Sequence, residues 1–137
     1  MQSQDGFMLV DWVNGGRSDP YFDLATFALM HNLNEAQTNV FFTQHLMRTP
    51  AQVEWDHLSI LKPVRPLVIA AAFLRNDTDS PSTSESDLPD LNDFTREHAT
   101  GKINWSYRKI ALVMLKHALH LSAQNEFQNA LRRLQKP

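Results

Sequence analysis

Three groups of residues have types and spacings that could do chemistry. Asp11 follows a short apolar run, 7–10, and precedes the loop Asn14-Gly15-Gly16. A carboxylate at the end of a buried strand, beside a loop that glycine leaves free to turn, suits a hard cation such as Mg2+. That ion takes a few carboxylates plus phosphate oxygens. The plainer role for a strand-end acid is a turn or a cap. His117 and His120 stand three apart, so one helix face could present both imidazoles to zinc if a third ligand arrived, and no acid accompanies them. His31, His45, His57 and His98 are scattered and read as core or surface residues. Trp55, Trp105 and Tyr107 could line an aromatic pocket for a quaternary ammonium, although rings of this kind more often belong to a core.

These residues need elements to position them. At 137 residues the chain is read as one domain, and an apolar fraction of 42% is enough for a modest core. Asp5-Gly6 looks like a hairpin turn leading into a strand from Phe7 to Val10. Asp19-Pro20 is a helix start, with Asp as cap and Pro at the first helical position, and the helix is expected over 20–32. Asn34 to Gln37 has capping-box spacing and opens a second helix to about Met47, with Val40, Phe41 and Leu46 as its apolar residues. Thr49-Pro50-Ala51-Gln52 repeats the start signal for a third helix to about Leu61. Pro63 and Pro66 then interrupt, and a fourth helix is expected over 66–75. The clearest periodicity runs from Asn104 to about Leu121, with Tyr107, Ile110, Ala111, Met114, Leu115, Ala118 and Leu121 at helical spacing. Ser122 is placed as the cap of a last helix to Leu134.

Charge is divided along the chain. Residues 76–97 hold seven acids and one base, with Pro81, Pro89 and several serines, and read as an acidic, mobile surface loop. From His98 onward there are seven bases and one acid, Glu126. This basic part could accept the loop or a phosphate. Lys102, Arg108, Lys109 and Lys116 lack interleaved exposed aromatics, and the formal net charge is −2, so nucleic acid is not expected as a partner. There is no cysteine, which fits a reducing, cytoplasmic setting. No signal peptide is read at the start, and the longest apolar stretch, 67–74, is too short to span a bilayer, so no membrane partner is expected.

The ordered block Asp11-Trp12, Gly15-Gly16, Asp19-Pro20 and Asp23-Leu24-Ala25 resembles the aminoglycoside phosphotransferase and choline kinase-like family, which has the protein-kinase-like fold. Each dipeptide is common, but their order and spacing are not. The resemblance implies a mainly α fold: the helical C-lobe subdomain of a kinase-like domain behind a short N-terminal β-strand, with the N-lobe absent. It assigns Asp11 to Mg2+ and through it to ATP. It gives Asp19 and Asp23 structural roles, Asp19 capping the helix and Asp23 fixing the loop by hydrogen bonds to nearby backbone. Val13 and Ser18 depart from the Glu and Gly common in the family.

The family's catalytic loop, His-x-Asp-x-x-x-x-Asn, is found nowhere in the 137 residues, nor is a glycine-rich nucleotide loop. The strand pairing with 7–10 is therefore expected to precede Met1. The reading is a C-terminal portion of a small-molecule O-phosphotransferase that is inactive alone. Its acceptor would carry a hydroxyl, as choline, ethanolamine, thiamine-like compounds and aminoglycosides do. The alternative is a non-catalytic helical module that binds a partner or a second copy of itself through apolar surface.

Overall fold

The computed structural model describes residues 2, 3, 6, 7, 19–77, 84, 88–101 and 105–135. The chain is mainly helical, with six helices among the described residues: α1 (Pro20–Met30), α2 (Glu35–Leu46), α3 (Gln52–Arg75), α4 (Leu91–Ala99), α5 (Tyr107–Ala123) and α6 (Asn125–Leu134). Two short strands, β1 (Gln2–Ser3) and β2 (Gly6–Phe7), pair antiparallel in the register Gln2 with Phe7 and Ser3 with Gly6. β2 thus has an antiparallel partner inside the chain, where the expected partner precedes Met1. Gly6 pairs in the ladder instead of turning. Residues 8–10 of the expected strand lie outside the described residues.

The helix starts follow side-chain chemistry. Asp19 caps α1 by accepting from the Tyr21 amide at 2.9 Å, and Pro20 needs no partner for an N–H it lacks. Asn34 and Gln37 form the reciprocal capping box of α2, with bonds of 2.9 and 3.0 Å. Met47 ends that helix in the left-handed region at φ 53°. Ala51 has no side-chain acceptor with which to cap α3. There Glu54 reaches back to accept from the Ala51 amide at 2.7 Å.

Three expectations fail for physical reasons. The helices expected before and after Pro63 are one helix of 24 residues, with both prolines inside it. Each proline removes a backbone donor and crowds the preceding turn, at about 3 kcal/mol. Pro63 and Pro66 are buried, and the burial of their rings offsets part of that cost. The second part of the acidic loop is helical: α4 starts at Leu91, where Asp90 accepts from the Asp93 amide at 2.8 Å, and it buries Leu91 and Phe94. Finally, Ser122 lies within α5 and caps nothing. Gln124, in extended conformation, separates α5 from α6, and the Gln128 side-chain amide donates to the Ser122 carbonyl at 2.8 Å.

α3 is the central rod, packed against α5, α1 and α6. Its length and composition would let it cross a membrane, and its buried Asp56 and Ser59 bond to α6. Two apolar clusters flank it. One gathers Leu24, Ala25, Phe42 and Leu58, and the other joins Leu88, Leu91, Phe94 and Trp105 to α5. On α2 the expected Val40 is 62% exposed, Phe41 and Leu46 are half-buried, and the anchor is Phe42, which meets Tyr21 and Trp55 edge-on at 5.6 and 4.9 Å. Tyr107, expected on the buried stripe of α5, is 50% exposed, whereas Val113 is buried. Chemical denaturation of Phe42→Ala is expected to show a loss of about 3–5 kcal/mol. Val40→Ala should stay within about 0.5 kcal/mol of the parent. Equal losses would mean α2 docks on its other face.

Candidate functional site

Asp11, Trp12 and the two glycines lie outside the described residues, so the first element of the block with a known setting is Asp19. One of its oxygens caps α1, and the other lies 2.8 Å from His57 Nε2 on α3. The Tyr21 and His57 rings lie 4.7 Å apart. The Tyr21 hydroxyl donates to Glu54 at 2.9 Å, while Arg48 grips the same carboxylate through two bonds of 2.6 and 2.7 Å. The start of α1 is thereby bolted to the first two turns of α3. The Arg48 guanidinium, helped by the Ala51 amide, holds the Glu54 carboxyl at about 2. Burial, reinforced by that carboxylate, raises the Tyr21 phenol.

Asp23, one turn into α1, is exposed, and nothing among the described residues donates a hydrogen bond to it. Its charge acts on Arg65 of α3, whose guanidinium lies 4.9 Å over the Phe22 ring. Burial lowers the Arg65 pKa, and its Nε has no hydrogen-bond partner.

A polar concavity of about 780 Å³ lies elsewhere, between the start of α2, α3 and α6. Asp56 is buried in its wall and accepts two bonds from Arg133, at 2.6 and 2.8 Å, and one from Gln52 at 2.8 Å. The Arg133 contact lowers the Asp56 pKa against the effect of burial. One turn on, Ser59 Oγ lies 2.7 Å from both Glu126 Oε1 and the Trp55 carbonyl, so its single proton serves one or the other. Lys62 donates to the same Glu126 oxygen at 2.9 Å. Burial alone would raise the Glu126 pKa, but the bonds from Lys62 and Ser59 outweigh it and bring the pKa below its ordinary value. With Glu35 on the α2 side, the groove holds three carboxylates against two cations. A neighbouring cleft shares Glu35, Lys62 and Glu126 and extends to His117.

The periodicity of α3 carries a signal for this groove. Asp56, Ser59, Pro63, Pro66 and Ala70 form one buried stripe at helical spacing. An acid on a stripe that must bury needs a cation from elsewhere in the fold. Nothing in the sequence says that Arg133, 77 residues away, supplies it.

The other candidates are dispersed. Trp55 packs with the Phe42 cluster and Trp105 with the Phe94 cluster, and Tyr107 is half-exposed beside Phe73, so the three form no common cage. The face of Trp105 is taken by the Lys109 ammonium at 4.0 Å. His120 contacts Gln124 at 3.1 Å. Burial, and then the neighbouring His120, lower the His117 pKa. No group of three or more His, Asp or Glu among the described residues could hold a metal ion. Lys102 lies outside the described residues. Arg108 and Lys116 are engaged, Arg108 with Asp77 at 3.1 Å and Lys116 with the Leu88 carbonyl at 2.9 Å. The basic helix therefore grips both ends of the 77–88 segment.

No family model, curated protein or solved structure matches the chain.

The Glu54 site predicts a pH dependence. Its carboxyl sits at about 2 in the fold against an ordinary 4.5, so its stabilisation is full above the ordinary value and is lost as pH falls toward about 2. The urea midpoint of the parent should drop across that acid window. Glu54→Gln should show a shallower drop, with Asp56 and Glu126 supplying what remains. Superimposable acid profiles would show that the Arg48–Glu54–Tyr21 bolt contributes nothing to stability.

Proposed function

We propose that the chain is the helical, acceptor-side portion of an ATP-dependent small-molecule O-phosphotransferase of the aminoglycoside phosphotransferase and choline kinase-like kind, and that it does not transfer phosphate alone. The observation that carries this reading is the start of α1. Asp19 is the cap and Pro20 the first helical residue, and Asp19 is also held by His57. This is the structural role the resemblance gives to Asp19. Phosphoryl transfer depends chiefly on positioning and electrostatics. The 137 residues contain no His-x-Asp-x-x-x-x-Asn to accept the hydroxyl proton. Mg2+, and ATP through it, rest on Asp11 and the resemblance alone, since no group of three or more His, Asp or Glu among the described residues could hold a metal ion. The acidic excess of the groove beside Asp56 and Glu126 suits an acceptor that carries an amine or ammonium as well as its hydroxyl.

A second reading is a non-catalytic module that binds a protein partner or a second copy of the chain. It is favoured by a groove of about 520 Å³ between α1 and α2, lined among the described residues by no charged side chain and by Phe27, Val40 and Phe41 among others. Its rings are already stacked, Phe27 on Phe41 at 4.3 Å. Size-exclusion chromatography separates the readings on this point, since a monomer that takes up no apolar dye counts against the module.

The metal assignment is tested by adding Mn2+ to isotopically labelled chain and recording amide broadening by NMR. Broadening should centre on Asp11 and its neighbours and be lost in Asp11→Asn. Broadening spread over Asp77, Asp90 and Asp93 and indifferent to that substitution would contradict it. Incubation with Mg2+-ATP and choline or an aminoglycoside should give no turnover, and metal-dependent turnover would overturn the claim of inactivity.

A further inference from the structure

A cavity of about 300 Å³ lies between α1, α3, α4 and α5 and shares no lining residue with the polar groove. Leu91, Phe94, Ile110 and Met114 in its wall are buried, while Met30 is 56% exposed and gives access from solvent. Among the described residues no charged side chain lines it, and the one polar side chain that does is Thr95. The Thr95 hydroxyl donates to the Leu91 carbonyl at 2.8 Å, which leaves its oxygen free to accept but not to donate. A carboxylate, phosphate or ammonium would find no counter-charge there and would lose its hydration.

The wall selects further among uncharged guests. Phe73 and Phe94 line the wall while also meeting Tyr107 and Trp105, and Met30 and Met114 add thioethers, which contact aromatic guests favourably. A dry cavity of about 150 Å³ holds benzene, so twice that volume suits two fused rings. The volume also falls at the lower end of natural ligand pockets, which combine apolar walls with one or two polar groups that fix orientation.

We propose that this cavity binds an uncharged bicyclic aromatic molecule bearing a single hydrogen-bond donor, with that donor on Thr95 Oγ1 and the rings among Phe73, Phe94 and Met114. The site is independent of the phosphotransferase reading and stands if that reading falls.

The test titrates 2-naphthol and naphthalene into the full chain carrying 13C-labelled methionine methyls. Met30 and Met114 should shift saturably with 2-naphthol, with Kd on the order of 100 µM. Met47, 92% exposed, should stay still and serves as the internal control. Thr95→Val should weaken 2-naphthol about tenfold while changing naphthalene by less than about twofold. Met30→Trp, a change at an exposed position, should block both without altering the circular dichroism spectrum. The proposal is overturned by the absence of a saturable shift, by shifts spread equally to Met47, by undiminished binding in Met30→Trp, or by a Thr95→Val effect equal for the two compounds.

Discussion

The structure depends on α3 remaining one helix through two prolines. Its buried stripe, from Asp56 through Ser59, Pro63 and Pro66 to Ala70, makes contacts of two kinds. The first half is polar and reaches α6 through Arg133 and Glu126, and the second half is apolar and meets α5. A break at Pro63 would uncouple them. The proline cost is about 3 kcal/mol each, comparable to the burial of one large apolar side chain, so local propensity loses once both rings are enclosed. Two separate α-helices would instead expose more backbone and leave the Phe42 and Phe94 clusters without a common wall.

The same rod explains how the polar groove survives. A buried carboxylate is costly unless paired, and breaking a buried pair leaves the remaining charge without compensation. Asp56 receives three donors, and Glu126 receives Lys62 with the Ser59 hydroxyl also within reach, so each acid in the α3–α6 seam has a partner within the fold. Arg133 lies in the last turn of α6, where a cation also complements the helix dipole. The groove is therefore preorganised without being neutral, because Glu35 adds a carboxylate at its α2 side. An incoming ammonium would meet acids already held in place.

Local chemistry was legible in the sequence and tertiary compensation was not. Asp19, Asn34 and Gln37 act within three residues of themselves, and the sequence located the starts of α1 and α2. Pro63 and Pro66 misled because the interactions that rescue them come from other helices. The acidic segment misled at α4 because Leu91 and Phe94 are few among acids, yet they suffice once α5 offers a surface and Asp90 a cap. Two adjacent aromatics, Phe41 and Phe42, leave the phase of α2 open in the sequence, and the fold settles it by burying Phe42 and exposing Val40. Within the candidate site, Asp19 was readable as a cap, but its bond to His57 spans 38 residues and left no pattern. The Asp56–Arg133 and Ser59–Glu126 contacts span 77 and 67 residues and were equally invisible.

The continuity of α3 can be measured directly because the chain has no cysteine of its own. Spin labels on Val53→Cys and Leu74→Cys, both at exposed positions, report the distance between the two ends of the helix by pulsed electron resonance. A single helix places these backbones about 30 Å apart, at about 1.5 Å per residue, with a narrow distribution. A distribution centred well below that value, or split into two populations, would mean the helix breaks at its prolines, and with it the shared wall on which both the core and the groove depend.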